Sequence, residues 1–306
     1  MVNTTQTLEN LHKPAAIEQI PRMRYFSWGL PLFAIVWAIA YFSLSKDAAG
    51  GFHDCWPLIG VGFLTGILAN ISAVGGGLVF IPVMLFFFHF PAVLALKATL
   101  ASQSIALSSG SIAWYQTGKV NTKLLRYTVP GLLVGSTISS LMIHPSAFLI
   151  KTIFGPVSIL IGIATLLMLN RSSQKEISTL PKSLPLFLIS IIGGMITGWI
   201  SIGEGEVIAA YLMLACGASS ASSIGLGVIL LAINSIYLTI VHSLFLGGVP
   251  WHIAAFTMLG AVYGARLAPF LSQWISARTL KIIFSIIAIA DGILFLVQVF
   301  VSHGIK

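Results

Sequence analysis

The sequence predicts an all-α membrane protein: a polytopic helical bundle of two inverted-topology repeats whose broken or re-entrant helices meet near the midplane. Three observations carry this expectation. Apolar residues make up 57% of the 306-residue chain and charged residues 8%, whereas soluble domains carry about 25% charged residues. Several windows supply the roughly 20 apolar residues that a span needs, among them 26–44, 147–170 and 280–301. Two further apolar runs are interrupted by glycine at matching places, Gly75-Gly76-Gly77 in the first half and Gly203-Glu204-Gly205-Glu206 in the second.

Residues 1–25 are polar and contain Glu9, Lys13, Glu18, Arg22 and Arg24. The apolar stretch after them begins too late for a secretory signal, which also needs a small-residue cleavage site. Residues 26–44 therefore read as a retained first span, additional to the repeats. The first repeat, 57–170, comprises a broken pair (57–73 with 78–88) and crossings near 92–114, 122–143 and 147–170. A polar linker, 171–183, leads to the second repeat, 184–301. That repeat has its own broken pair (184–201 with 207–216) and crossings near 220–243, 251–271 and 280–301. The second members of the broken pairs are about ten residues long, too short to cross about 30 Å upright at 1.5 Å per residue. They must tilt, extend past the glycines, or re-enter.

The repeat is visible as ordered matches at an offset of about 130 residues. Gly62-Phe-Leu-Thr-Gly66 pairs with Gly194-Met-Ile-Thr-Gly198, Gly75 and Gly77 with Gly203 and Gly205, Gly118 with Gly247, and Gly131 and Gly135 with Gly260 and Gly264. Each repeat contributes an odd number of elements, so the second stands inverted relative to the first, a recurrent arrangement in membrane proteins. Orientation follows from the basic residues. Lys13, Arg22, Arg24, Lys119, Lys123, Arg126, Arg171, Lys175, Lys182, Arg266, Arg278 and Lys281 fall on one side, and Lys46, Lys151 and Lys306 on the other. The positive-inside rule then puts the N-terminus in the cytoplasm and the C-terminus outside, in a bacterial inner membrane. Trp114, Tyr115, Trp251 and Trp274 lie near span ends and read as interfacial anchors.

The net charge of +8 reflects cytoplasmic loops rather than nucleic-acid binding, because no basic run interleaves with aromatics. Cys55 and Cys216 form no zinc or redox spacing. No cofactor or metal is expected, and the oligomeric state is not legible. The expected partners are the lipid bilayer, a small anion and a coupling proton.

The anion expectation comes from the breaks. Irregular backbone at membrane depth is tolerated only inside protein or facing a water-filled cavity. Gly75, Gly76 and Gly77 permit a tight turn and close ligand approach. The half-helix that follows would aim its free N–H groups and positive dipole end at the centre, and Gly203 and Gly205 would do the same in the second repeat. The alternative is that these glycines serve only close helix packing. Glu204 and Glu206 are the costliest residues, since a central carboxylate costs roughly 2.5–3.5 kcal/mol on insertion scales. Two such neighbours disfavour double ionisation, so the pair is expected to carry a coupling proton or to gate the tip. The alternative is a helix N-terminal role facing the dipole. Lys97 either snorkels to the surface or faces the anion, with Ser102, Gln103, Ser104 and Ser108 as neutral donors along the same crossing and Asn234 and Ser235 on its counterpart. His242 lies near a span end and reads as an interface residue.

At these residues the chain resembles the TauE/SafE family of sulfite and organosulfonate carriers. The resemblance rests on Gly75-Gly-Gly-Leu-Val-Phe-Ile-Pro82, Gly118-Lys-Val-Asn121, Gly131 with Gly135, Gly203-Glu-Gly-Glu206 and Gly260-Ala-Val-Tyr-Gly-Ala-Arg266. It runs from about Pro57 to the C-terminus and excludes the N-terminal span. The second copy departs from the first, with glutamates and Ala210 where the first has its triple glycine and Pro82. The resemblance implies a secondary carrier for small anions, sulfite or organosulfonates, working by alternating access. The competing classes are an anion channel and a carrier of another small anion such as a carboxylate. An intramembrane serine hydrolase built on Ser108-Ser-Gly-Ser111 and His144 lacks any spacing that supports it, and no enzyme activity is expected.

Overall fold

The computed structural model describes residues 29–44, 48–72, 75–116, 118–167, 169, 183–274 and 277–304. The polar segment 1–25, residues 26–28 and positions 171–182 of the linker lie outside them, as do Lys46 and Lys306. Among the described residues every regular element is helical. α1 (Gly29–Leu44) and a short α2 (Ala48–Cys55) precede the first half. That half contains α3 (Pro57–Ser72), α4 (Gly77–Phe86), α5 (Ala92–Gln116), α6 (Leu125–Thr137) and α7 (Ala147–Leu167). The second half contains α8 (Ser183–Ile200), α9 (Glu204–Leu214), α10 (Ser220–Phe245), α11 (Trp251–Trp274) and α12 (Ala277–Gly304). Five of these helices are long and apolar enough to cross a membrane. α2 had no counterpart in the sequence reading, because its AAGGFHDC segment is only eight residues long and weakly apolar.

Local signals set the boundaries. Asn121 accepts the Lys123 N–H (3.2 Å) and starts the turn before α6; Ser146 caps α7 through the Leu149 N–H (3.1 Å); Ser219 caps α10 through the Ser222 N–H (3.3 Å). Each side-chain oxygen takes one of the N–H groups that a helix start leaves free. The expected 122–143 crossing is not a uniform α-helix: a 3-10 turn (Thr122–Leu124) opens it and a π segment (Ile138–Met142) closes it.

The bundle is apolar outside and encloses polar groups within a largely apolar interior. Leu32, Ile35, Val36 and Ile39 of α1, Leu160 and Ile163 of α7, and Ile286, Ile293 and Val297 of α12 face outward. Thr128, Ser136, Ser139, Ser158, Ser190, Thr197, Asn234 and Ser235 are fully buried. The apolar exterior suits the bilayer as solvent, and polar side chains are kept inside the protein. α1 is anchored to α11: the Trp37 indole donates to the Ala255 carbonyl (2.8 Å), and Trp37 and Tyr41 stack on each other and edge onto Phe256.

The main interfaces join the two halves. α3 packs on α11, α6 on α8, α5 on α10 and α7 on α12. Exchanging the halves converts the first pair into the second and leaves the last two unchanged. α3 and α11 run parallel, with Gly62 against Thr257 and Gly66 against Ala261; α6 and α8 run parallel, with Gly131 against Phe187 and Gly135 against Ile191. α5 and α10 run antiparallel, with Lys97 at Leu246, Gln103 at Ser235 and Ser111 at Val228. α7 and α12 are antiparallel with Gly155 against Gly292. Glycines create the close approaches of α3–α11, α6–α8 and α7–α12, since membrane helices associate through packing rather than hydrophobic exclusion. In each parallel pair two glycines four apart press on carbonyl oxygens four apart: Gly260 and Gly264 on Ile59 and Phe63, Gly131 and Gly135 on Phe187 and Ile191.

The broken pairs re-enter. Gly76 lies beside Thr65 of α3, so the chain has reversed by the time it reaches α4. Leu212 near the end of α9 shares an apolar cluster with Leu186 at the start of α8 and with Leu124. Phe86 at the end of α4 packs on Phe295, which stacks on Phe154 near the start of α7. Each hairpin thus returns to the end of the bundle from which it entered, and the two enter from opposite ends.

Candidate functional site

The two hairpin tips touch. A Cβ on Gly75 would stand 2.6 Å from the Ser201 carbonyl oxygen, and one on Gly77 2.8 Å from the same oxygen. Between them Gly76 has only ordinary neighbours, Thr65 and the Gln103 amide at 3.6–3.7 Å. Gly75→Ala is therefore expected to disrupt folding or transport, whereas Gly76→Ala keeps both. Size-exclusion profiles of the two variants check this, and equal behaviour would remove the tip contact from the account.

Ser201 and Gly203 form the second tip, both with positive φ (59° and 115°). A positive φ is uncommon for a residue other than glycine, and strain of this kind is stored where surrounding contacts enforce it. The enforcing contacts are present: Gln103 Nε2 donates to the Ser201 carbonyl (3.1 Å), the Ser201 N–H donates to Thr197 O (2.8 Å), and the Glu204 N–H donates to Thr197 Oγ1 (3.1 Å).

Glu206 joins the tips. One carboxylate oxygen accepts the Gly75 N–H (2.9 Å) and the other accepts the Gly203 N–H (2.9 Å). The acid stands in the first turn of α9, as the helix N-terminal alternative expected, and it also reaches across to the other half. Glu204 is fully buried. Its Oε2 accepts from Asn234 Nδ2 (2.6 Å), whose Oδ1 accepts from Ser136 Oγ (2.6 Å). Its Oε1 and the Ser201 hydroxyl have no partner. On the bundle's central line the Ser235 hydroxyl donates to Gln103 Oε1 (3.1 Å). Gly205 is buried in the first turn of α9, its backbone pressed against Gly227 of α10.

A crevice opens beside the first tip. Thr65, Gly76, Thr99, Ser102 and Gln103 supply its polar side, and Phe80, Ala106 and Leu107 its apolar wall. Its free volume is about 20 Å³, room for roughly one water molecule.

The structure therefore brings Gly75, Gly76, Gly77, Gln103, Gly203, Glu204, Glu206 and Asn234 to one centre. Ser102 lines the crevice but is spent on the Ala98 carbonyl and the Thr257 hydroxyl. Ser104 and Ser108 bond back to their own helix. Lys97 stands about 9 Å along α5 from Gln103 at 1.5 Å per residue, and its ammonium donates to the Leu246 carbonyl at the end of α10. It neither faces the tips nor snorkels freely, because the antiparallel α5–α10 pairing places that carbonyl beside it. His242 is fully buried rather than interfacial, and neither ring nitrogen has a partner. The residues that sequence reasoning left out are Ser136, Thr197 and Ser201. Their only local signal is a hydroxyl near a glycine, which membrane helices carry in many places.

The TauE/SafE sulfite exporter family model matches residues 58–295. The "Probable membrane transporter protein YjnA" of Bacillus subtilis (strain 168) is 24% identical over 249 residues, covering 77% of this chain and 97% of that protein. No solved structure matches.

Proposed function

We propose that this chain, which belongs to the TauE/SafE sulfite exporter family and is a multi-pass membrane transporter, is a secondary carrier for small anions such as sulfite or organosulfonates. The two halves act as inverted repeats that rock about the paired tips, so that the centre opens alternately to either side. The N-terminus is placed in the cytoplasm and the C-terminus outside, from the distribution of Lys and Arg. The observation that carries the reading is the double bond of Glu206 to Gly75 and Gly203. One buried acid ties two half-helix starts from opposite halves, and those starts offer backbone N–H groups suited to an anion. The exchange symmetry of the helix pairings supports the rocking mechanism.

The buried carboxylate pair is the element that carries a coupling proton, since an ionised pair would repel an incoming anion. The test is uptake of labelled sulfite and a small organosulfonate into proteoliposomes, with and without an imposed pH gradient. Saturable flux that shows counterflow and follows the gradient is expected. Glu204→Gln with Glu206→Gln is expected to abolish the gradient dependence. Flux without saturation or counterflow would favour a channel, and flux of neither compound would remove the sulfur-anion assignment.

A further inference from the structure

We infer that the Glu206 carboxylate is a resident stand-in for the transported anion: its two oxygens hold the Gly75 and Gly203 N–H groups that the substrate's oxygens take over once Glu206 is protonated. The inference rests on the carrier reading above and specifies how proton and anion are exchanged at that site.

The geometry has three parts. The two N–H groups belong to different hairpins, and both are satisfied by oxygens of one carboxylate, each at 2.9 Å. A two-oxygen anion is therefore what the pair of donors fits. The same tips carry a buried hydroxyl with no partner, Ser201 Oγ, on a residue 0% exposed. An unpartnered buried O–H is costly and calls for an acceptor such as an anion's oxygen. Finally, the crevice reaches the first tip at Gly76, with Gln103 of α5 on its wall, one residue from the Gly75 donor.

The exchange balances. Glu206 takes one proton from water and becomes a neutral carboxyl; its charge-assisted bonds to Gly75 and Gly203 weaken, since a charged acceptor bonds roughly twice as strongly as a neutral one. The anion's two oxygens accept the freed N–H groups, so a monoanion and a proton enter together and the charge of the centre is unchanged. When the proton leaves, the carboxylate reclaims both donors and expels the anion. Sulfonate, sulfite and carboxylate place one oxygen on each donor, as Glu206 does, whereas a halide must serve both donors with one atom. Of the titratable side chains on the elements packed around α9, Glu204 stands in the same turn. Tyr211 lies further along α9, Tyr237 bonds Thr137, and Lys97, Lys151 and His242 lie nearer the ends of their helices.

The sign follows. Anion affinity is highest where Glu206 is protonated, and it falls about tenfold per pH unit above its titration. The test uses the full-length protein in nanodiscs, with methanesulfonate, acetate and chloride as probes and a pH indicator in weakly buffered solution. Binding of methanesulfonate or acetate to the wild type is expected to take up about one proton per anion, and chloride is expected to be bound weakly without this uptake. Glu206→Gln is expected to bind the oxyanions with no proton uptake and a flat pH profile, and Glu204→Gln to retain the uptake. Oxyanion binding without proton uptake by the wild type overturns the inference while leaving the carrier reading intact, and this arm needs no variant to fold. Proton uptake that survives in Glu206→Gln and disappears in Glu204→Gln also overturns it. Failure of every probe to bind at any pH removes the carrier reading, and the inference with it.

Discussion

Glu206→Ala is expected to lower the stability of the folded protein more than any other single substitution at the tips. The side chain, 8% exposed, satisfies two backbone N–H groups, on Gly75 and Gly203. Each orphaned buried donor costs roughly 1–3 kcal/mol. Removal of the carboxylate also releases the contact that spans the two halves, so the effect exceeds that of truncating a side chain within one hairpin. Glu204→Ala is the appropriate comparison. Glu204 bonds Asn234 through one oxygen while the other is unpartnered, so its removal orphans one amide and relieves one unsatisfied oxygen. Thermal unfolding followed by size-exclusion chromatography separates the two. A Glu206→Ala midpoint equal to wild type would mean that the bridging bonds contribute nothing to holding the tips together.

Gly260→Ala is expected to prevent assembly of the bundle. A Cβ there would stand 1.9 Å from the Ile59 carbonyl oxygen and 2.7 Å from the Phe63 nitrogen, both backbone atoms that cannot rotate away. The α3–α11 pair would have to separate, and overpacking of this kind costs about 1–3 kcal/mol or more even where side chains can adjust. Gly60→Ala provides the control on the partner helix, since nothing lies within 4 Å of a Cβ at that position. The expected result is a monodisperse peak for Gly60→Ala and aggregated or absent protein for Gly260→Ala. A well-behaved Gly260→Ala would show that the close α3–α11 approach is not needed.

The two substitutions divide along the line between what was legible and what was not. Spans are local: about 20 apolar residues predict a crossing wherever they occur, and the helices observed over Ala147–Leu167 and Ala277–Gly304 lie where hydropathy puts them. The breaks are local too, because three consecutive glycines and two acids disturb an apolar run on their own. Gly260 could be recognised as part of a small-residue pattern, but the Ile59 carbonyl that it packs against could not. Sequence spacing measures position along one helix, while the contact depends on how two helices slide past each other.

The centre shows the same division. Gln103, Asn234, Glu204 and Glu206 stand out in sequence because polar side chains inside apolar spans need a partner. Their partners could not be read, since each bond runs between segments far apart in the chain: Gln103 to Ser201 and Ser235, Glu206 to Gly75, Asn234 to Ser136. Lys97 illustrates the reverse case. A cation in a span is conspicuous in sequence, yet the antiparallel α5–α10 pairing sets a backbone carbonyl beside it and keeps it from the tips. Composition and periodicity by themselves determined that this chain is helical, membrane-embedded and interrupted at two matching places, because those properties depend on a residue and its near neighbours. Only the tertiary structure decided that the hairpins return to the side they came from, that Ser201 takes a left-handed backbone, and that one glutamate closes both tips, because these depend on which distant segments the packing of small residues brings within reach.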